Sequence, residues 1–132
     1  MDFKKLSEAA VSAREKSYSP YSGFKVGAAL FAESGTIYVG CNIENAAFTP
    51  TICAERTAFA KAVSEGENGF LAIAVAGWGN EPGFAYPCGV CRQVMMEFCD
   101  PHTFNIIITD GSKHRNHTLA ELLPFGFGLN SI

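Results

Sequence analysis

The chain has 132 residues, 48% hydrophobic and 17% charged, which is ample for one packed domain spanning residues 1–132 and leaves modest surface for charge. A formal net charge of −3 and a pI near 5.5 provide no basic footprint for phosphate neutralisation, so a nucleic-acid partner is not expected. No apolar run approaches the roughly 18 residues of a membrane span. The start Met1-Asp2-Phe3-Lys4-Lys5 leads into an amphipathic pattern rather than a signal segment, and the expected location is the cytoplasm without membrane contact.

Phe3, Leu6, Ala9, Ala10 and Ala13 recur at helical spacing behind a capping Asp2, predicting a helix from 3 to about 16 that ends before Pro20. Phe24 to Ala32 and Thr36 to Glu44 read as two strands around the three-residue loop Glu33-Ser34-Gly35. If Ala32 pairs with Thr36, Val26 faces Asn42 and Phe24 faces Glu44. The three side chains Phe24, Asn42 and Glu44 then share one end of the sheet. A helix is expected over Ile52–Ser64, stopped at Glu65-Gly66, and the run Phe70 to Ala76 has the continuous apolarity of a strand covered on both sides. Gly77 to Tyr86 reads as a loop, Cys88 to Phe98 as a helix, Phe104 to Thr109 as a strand, and Asn116 to Thr118 as a short segment after the turn Asp110-Gly111-Ser112. One helical turn over Ala120–Leu123 is cut by Pro124. The alternation gives an α/β class with helices covering a mixed sheet.

Two motifs carry chemistry: Cys53-Ala54-Glu55-Arg56 and Pro87-Cys88-Gly89-Val90-Cys91. Cysteines three apart on a first helical turn lie on one face and can grip one ion. Cys53 and Glu55 are two apart, yet both can converge on a group lying off a helix start, because side chains tilt toward that end. Cys53, Cys88 and Cys91 are therefore read as ligands of one Zn²⁺ with a fourth position left for water, and Glu55 as the proton carrier beside it. Arg56 and two helix dipoles compensate the excess charge of three thiolates. A redox role for Cys88 and Cys91 is disfavoured by the upstream Cys-Ala-Glu. Cys41 and Cys99 are read as small buried apolar groups, and His102, His114 and His117 as ordinary surface residues.

At these residues the chain resembles the zinc-dependent cytidine deaminases of the small homotetrameric type. The likeness extends through Tyr18-Ser19-Pro20-Tyr21-Ser22-Gly23-Phe24, Cys41-Asn42-Ile43-Glu44-Asn45-Ala46 and Glu121-Leu122-Leu123-Pro124. It implies a three-layer sandwich with a mixed sheet of about five strands, in which residues 116–118 pair antiparallel as a hairpin. It also implies one zinc per subunit and hydrolysis of cytidine and 2′-deoxycytidine to the uridine nucleosides and ammonia, in pyrimidine salvage. Glu55 is then catalytic, the Ala54 N–H holds the ring, Phe24 packs on the nucleoside, and Asn42 and Glu44 bind the ribose 3′-hydroxyl. Phe127, in the ending Leu123-Pro124-Phe125-Gly126-Phe127-Gly128, is implied to reach a neighbouring subunit's pocket, with Phe125 two residues away as the alternative. Tyr86 departs from the small polar residue common before Pro87.

Two other readings remain open. A blasticidin S deaminase would share the zinc motifs, although Arg56 and Asn42-Ile43-Glu44-Asn45 look like nucleoside-recognising versions. A noncatalytic zinc-stabilised binding module would keep the cysteines and have no need of Glu55.

Overall fold

The computed structural model describes residues 2–132. In chain order it contains helix α1 (Phe3–Arg14), strands β1 (Lys25–Ala32) and β2 (Ile37–Cys41), helix α2 (Ala54–Ser64), strand β3 (Phe70–Trp78) and helix α3 (Gly89–Phe98). Strands β4 (Asn105–Thr109) and β5 (His114–Thr118) follow, then helix α4 (Leu119–Leu122) and a 3₁₀ turn at Leu129–Ser131. The Asp2 side chain caps α1 by accepting from the Lys5 N–H. The five strands form one sheet in the order β2-β1-β3-β4-β5, with β3 and β4 parallel and the other pairs antiparallel.

The sheet is apolar on both faces, so it must be covered on both. On one side Leu6 and Ala10 of α1 pack on Ala29, Ala72, Ala74, Ala76 and Ile107. On the other, Ala54, Ala58, Phe59 and Ala62 of α2 and Cys91 and Met95 of α3 pack on Leu30, Ile73, Val75, Ile106 and Ile108. The result is the expected three-layer α/β sandwich on a mixed five-stranded sheet. Phe59 sets α2 against α3: its ring lies 5.1 Å from Phe70, 6.2 Å from Phe98 and 6.3 Å from Phe104. Burying each such ring contributes about 1.5–3 kcal/mol.

β2 ends earlier than the sequence pattern suggests. The register is the expected one as far as Gly27 opposite Cys41. There the Asn42 side chain takes over the ladder: its Oδ1 accepts from Val26 N–H at 2.9 Å and its Nδ2 donates to Phe24 C=O at 2.8 Å. The Asn42 N–H still donates to the Val26 carbonyl at 3.2 Å, but the Asn42 carbonyl accepts from Tyr18 N–H, the Glu44 N–H donates to the Tyr18 carbonyl, and Ile43 pairs with Ile52. Glu44 therefore does not stand opposite Phe24 as a strand partner. Cys99 is buried as expected, whereas Cys41 is only half-buried and its thiol meets the Lys16 carbonyl at 3.3 Å.

Candidate active site

Cys53 and Cys88 are the N-cap residues of α2 and α3. Both have extended backbones, so their carbonyls start the helices, accepting from Thr57 N–H and Arg92 N–H at 3.0 Å, while neither side chain caps its own helix. The thiols are left to face each other across the gap between the two helix starts. Cys53 Sγ lies 3.8 Å from Cys88 Sγ, and Cys88 Sγ 3.5 Å from Cys91 Sγ. All three sulfurs fall within 4.8 Å of one another, the one such cluster of potential ligand atoms among the described residues. A tetrahedral ion with Zn–S bonds of about 2.3 Å sets its sulfurs about 3.8 Å apart. The cluster has the spacing such an ion requires.

At Cys53 the electrostatics favour thiolate. The Cys53 thiol is lowered to about 5, chiefly by its hydrogen bond with Cys91 and then by the Arg56 guanidinium, whose Nη2 donates to Cys53 Sγ at 3.3 Å. Cys91 moves the opposite way because its own proton is held in the hydrogen bond to Cys53, and burial adds to the rise. Arg56 is held charged by the same contact. Glu55, one residue into α2, is 4% exposed, and its carboxyl is raised to about 7, chiefly by burial.

Cys53, Cys88 and Glu55 line a cleft of about 360 Å³, within the ordinary range of small-ligand pockets. Ser22, Phe24, Asn42 and Glu44 line the cleft together with Cys53, Glu55, Tyr86 and Cys88. A larger hollow of about 380 Å³ lies between α1 and the β4–β5 turn, lined by Lys4, Glu8 and His114 and containing none of these groups. The chemistry belongs to the thiol-bearing cleft, which unites a buried carboxylate with a soft-metal ligand set.

Residues 2–106 match the family model of the cytidine and deoxycytidylate deaminase zinc-binding region. The chain belongs to this deaminase family. It is 50% identical over 127 residues to the cytidine deaminase of Sporosarcina psychrophila, covering 96% of this chain and 92% of that protein. It is 46% identical over 127 residues to that of Halalkalibacterium halodurans, covering 96% and 95%. The crystal structure of cytidine deaminase from Burkholderia pseudomallei superimposes with a TM-score of 0.87 at 45% identity, over 96% of this chain and all of that one. The Mycobacterium tuberculosis enzyme gives a TM-score of 0.84 at 34% identity, over 98% and 99%. A zinc ion fits the Cys53, Cys88 and Cys91 cluster, in keeping with the zinc-binding family.

Within this deaminase fold, most residues singled out from the sequence meet at the cleft. Phe24 is 42% exposed on its wall. Asn42 and Glu44 reach it by a different route from the strand pairing expected. Asn42 Oδ1 also accepts from the Ser17 hydroxyl. Glu44 Oε1 accepts from the Tyr21 and Ser22 N–H groups at 2.9 and 3.1 Å, and Oε2 from the Ser22 hydroxyl, which holds the carboxyl below its ordinary value. Ala54 is fully buried at the first position of α2, where its N–H has no intrahelical acceptor. Phe127 is absent from its own chain's cleft: it is 53% exposed and its carbonyl accepts from Gln93 Nε2 at 2.8 Å. Phe125 is fully exposed with a left-handed φ of 57°. Tyr86, marked in the sequence by its place before Pro87, lines the cleft, whereas His117 was not legible as its partner because 31 positions separate the two.

Proposed function

We propose that this chain hydrolyses cytidine and 2′-deoxycytidine to uridine and 2′-deoxyuridine with release of ammonia. The observation that carries the reading is a buried carboxylate, Glu55, and a cluster of three converging thiols at a cleft that Glu55, Cys53, Cys88, Asn42 and Glu44 line together. Relatives at 46–50% identity named cytidine deaminase support the substrate class.

Cys53, Cys88 and Cys91 would hold one zinc ion per subunit, with Arg56 steadying the Cys53 thiolate. The bound ion supplies a Lewis acid that lets water act as a nucleophile near neutral pH. Proton traffic falls to Glu55. It takes a proton from the attacking water and delivers it to N3, which makes C4 electrophilic, then carries a second proton to the amine that departs as ammonia. The Ala54 N–H holds the pyrimidine and Phe24 packs on the nucleoside.

At the sugar end, hydrogen-bond capacity is nearly used up, and what remains is specific. Asn42 Nδ2 has one N–H left after Phe24 C=O, and the Glu44 carboxylate has about one of its roughly four acceptor sites left after three donors. One hydroxyl, donating to Glu44 and accepting from Asn42, satisfies both, and the ribose 3′-hydroxyl is assigned to that place. The carboxylate there also repels phosphate, which favours nucleosides over nucleotides.

Residues 1–132 are read as a single cytidine deaminase-like domain, acting in the cytoplasm in pyrimidine salvage. The assembly is a homotetramer with shared active sites, each Phe127 closing a neighbour's pocket. Exposed Phe125, Phe127, Leu129 and Ile132 supply apolar surface for it.

The deciding experiment is ultraviolet-monitored turnover of cytidine, 2′-deoxycytidine, deoxycytidylate and blasticidin S, with zinc measured on the same sample. Glu55→Gln should retain zinc and thermal stability while losing about 10²-fold or more in kcat. Zinc-loaded protein that releases ammonia from no pyrimidine nucleoside would identify a binding module instead. Preferential turnover of blasticidin S would reassign the substrate.

A further inference from the structure

The cleft wall beside Cys88 is made by the loop between β3 and α3, and β5 holds that loop from outside. Tyr86 lines the cleft and remains 39% exposed. Its hydroxyl shares a 3.3 Å hydrogen bond with His117 Nε2, and the two rings lie 5.4 Å apart. His117 Nδ1 is in turn 3.7 Å from Glu121 Oε2. Glu121 is fixed by Thr118, whose N–H and hydroxyl both donate to Oε1 at 3.1 Å. The loop has a second hold two residues earlier, where the Arg115 guanidinium sits 3.8 Å over the Phe84 ring.

The spacing makes this a clamp. Residues two apart on a strand share a face, so Arg115 and His117 present together and take Phe84 and Tyr86 at the same interval in the loop. Between those holds the loop passes close over β3: a Cβ added at Gly77 would stand 2.9 Å from the Ala85 Cβ. β5 is a polar edge strand whose first three residues are exposed. Through the side chains of Arg115 and His117 it thus reaches a loop that forms part of the cleft.

We propose that Tyr86, clamped by His117 and Arg115, is the specificity wall of this cleft, limiting the substituent a pyrimidine carries next to its reacting carbon. The proposal rests on the deaminase reading above. With the reacting C4 at the thiol end and Glu55 reaching N3 from α2, the ring atom on the other flank of C4 is C5. Tyr86 projects from the loop before α3, on the Cys88 side, and therefore meets the C5 edge. Hydrogen at C5 fits there and a methyl group meets the phenol. His117 and Arg115 act through Tyr86 and are positioning residues.

The test is the ratio of kcat/KM for 5-methylcytidine to that for cytidine, measured on zinc-loaded enzyme. One methyl group against a pocket wall is worth about 10-fold or more, so Tyr86→Ala should raise the ratio by about that factor. Tyr86→Leu provides the same reading if the alanine variant does not fold. The His117→Ala/Arg115→Ala double variant, which leaves the phenol present but unclamped, should raise the ratio by a smaller factor. Restoring Arg115 and placing Gln at 117, whose amide can still bond the Tyr86 hydroxyl, should bring it back toward the parent value. Competition binding of uridine against 5-methyluridine gives the same ordering without turnover. An unchanged ratio in an active Tyr86 variant overturns the wall, and an equal loss for both substrates in the double variant overturns the clamp. If the parent turns over neither nucleoside, lost binding discrimination in Tyr86→Ala upholds the wall while the deamination reading fails. Unchanged discrimination, or no uridine binding by the parent, overturns the wall.

Discussion

Gly40→Ala should displace the turn that carries Cys53 and Glu55 from a strand that does not itself line the cleft. Gly40 lies in β2 directly under the start of α2, and a Cβ there would stand 2.6 Å from Ala58 N, 2.7 Å from Ala54 O and 3.0 Å from Thr57 Cβ. Ordinary contact begins at 3.4 Å, so the helix backbone must retreat by about 0.8 Å at Ala58 and 0.7 Å at Ala54. Ala54 separates Cys53 from Glu55, so this retreat moves the proposed zinc ligand and the proposed proton carrier together. Overpacking of this kind costs about 1–3 kcal/mol of stability. Misplacing reacting groups by about 1 Å costs on the order of 10²-fold in rate, and a shift somewhat below that predicts a loss of about 10- to 10²-fold in kcat. Urea unfolding should show a lower midpoint with an unchanged slope, and zinc content on the same sample separates misplacement from metal loss. Val39→Ala, at a half-exposed neighbour in the same strand, is the control and should leave turnover near the parent value. A Gly40→Ala protein as stable and as active as its parent would show the β2–α2 contact to be slack, and the positional argument would fall.

Arg56→Ala removes the donor 3.3 Å from Cys53 Sγ and should weaken zinc binding by about 10- to 100-fold against a chromophoric chelator; unaltered affinity would reduce Arg56 to a packing residue. Deleting residues 127–132 should raise KM for cytidine and leave zinc bound, since the cysteine cluster lies upstream, and should shrink the particle in sedimentation; a fully active monomer at assay concentration would refute pocket sharing. Glu44 gives a pH signature. The Ser22 hydroxyl, then the Ser22 and Tyr21 N–H groups, hold its carboxyl below the ordinary 4.5, so the folded chain binds that proton more weakly than the unfolded one. Its contribution to stability is present above pH 4.5 and is lost as pH falls through the lowered folded value. The melting-temperature gap between parent and Glu44→Gln should therefore close on acidification, and a gap that stays constant from about pH 7 to about pH 3 would contradict the assignment.

Local chemistry was legible in the residues themselves. The capping Asp2, the 3.6-residue periodicities and the apolar run through Ile73 and Val75 specify helices and a covered strand through interactions reaching only a few positions. The β1–β2 register followed from a short turn and strict alternation of side chains. Cys53-Ala54-Glu55 and Cys88-Gly89-Val90-Cys91 declared themselves because soft-metal chemistry needs thiols at helix-start spacing. What lay beyond local pattern was set by groups far apart in the chain. Asn42 ended β2 because its side-chain amide took the Val26 N–H and the Phe24 carbonyl, partners that exist only once β1 lies alongside. Phe127 carries no mark in the sequence that tells its own chain's cleft from a neighbour's, and only the folded C-terminus shows it outside the former. His117 looked like any surface histidine until the sheet brought β5 beside the Tyr86 loop. Thiols 35 residues apart come to 3.8 Å for the same reason: packing of α2 and α3 on one sheet face, with Phe59 between Phe70, Phe98 and Phe104, aims both helix starts at one point.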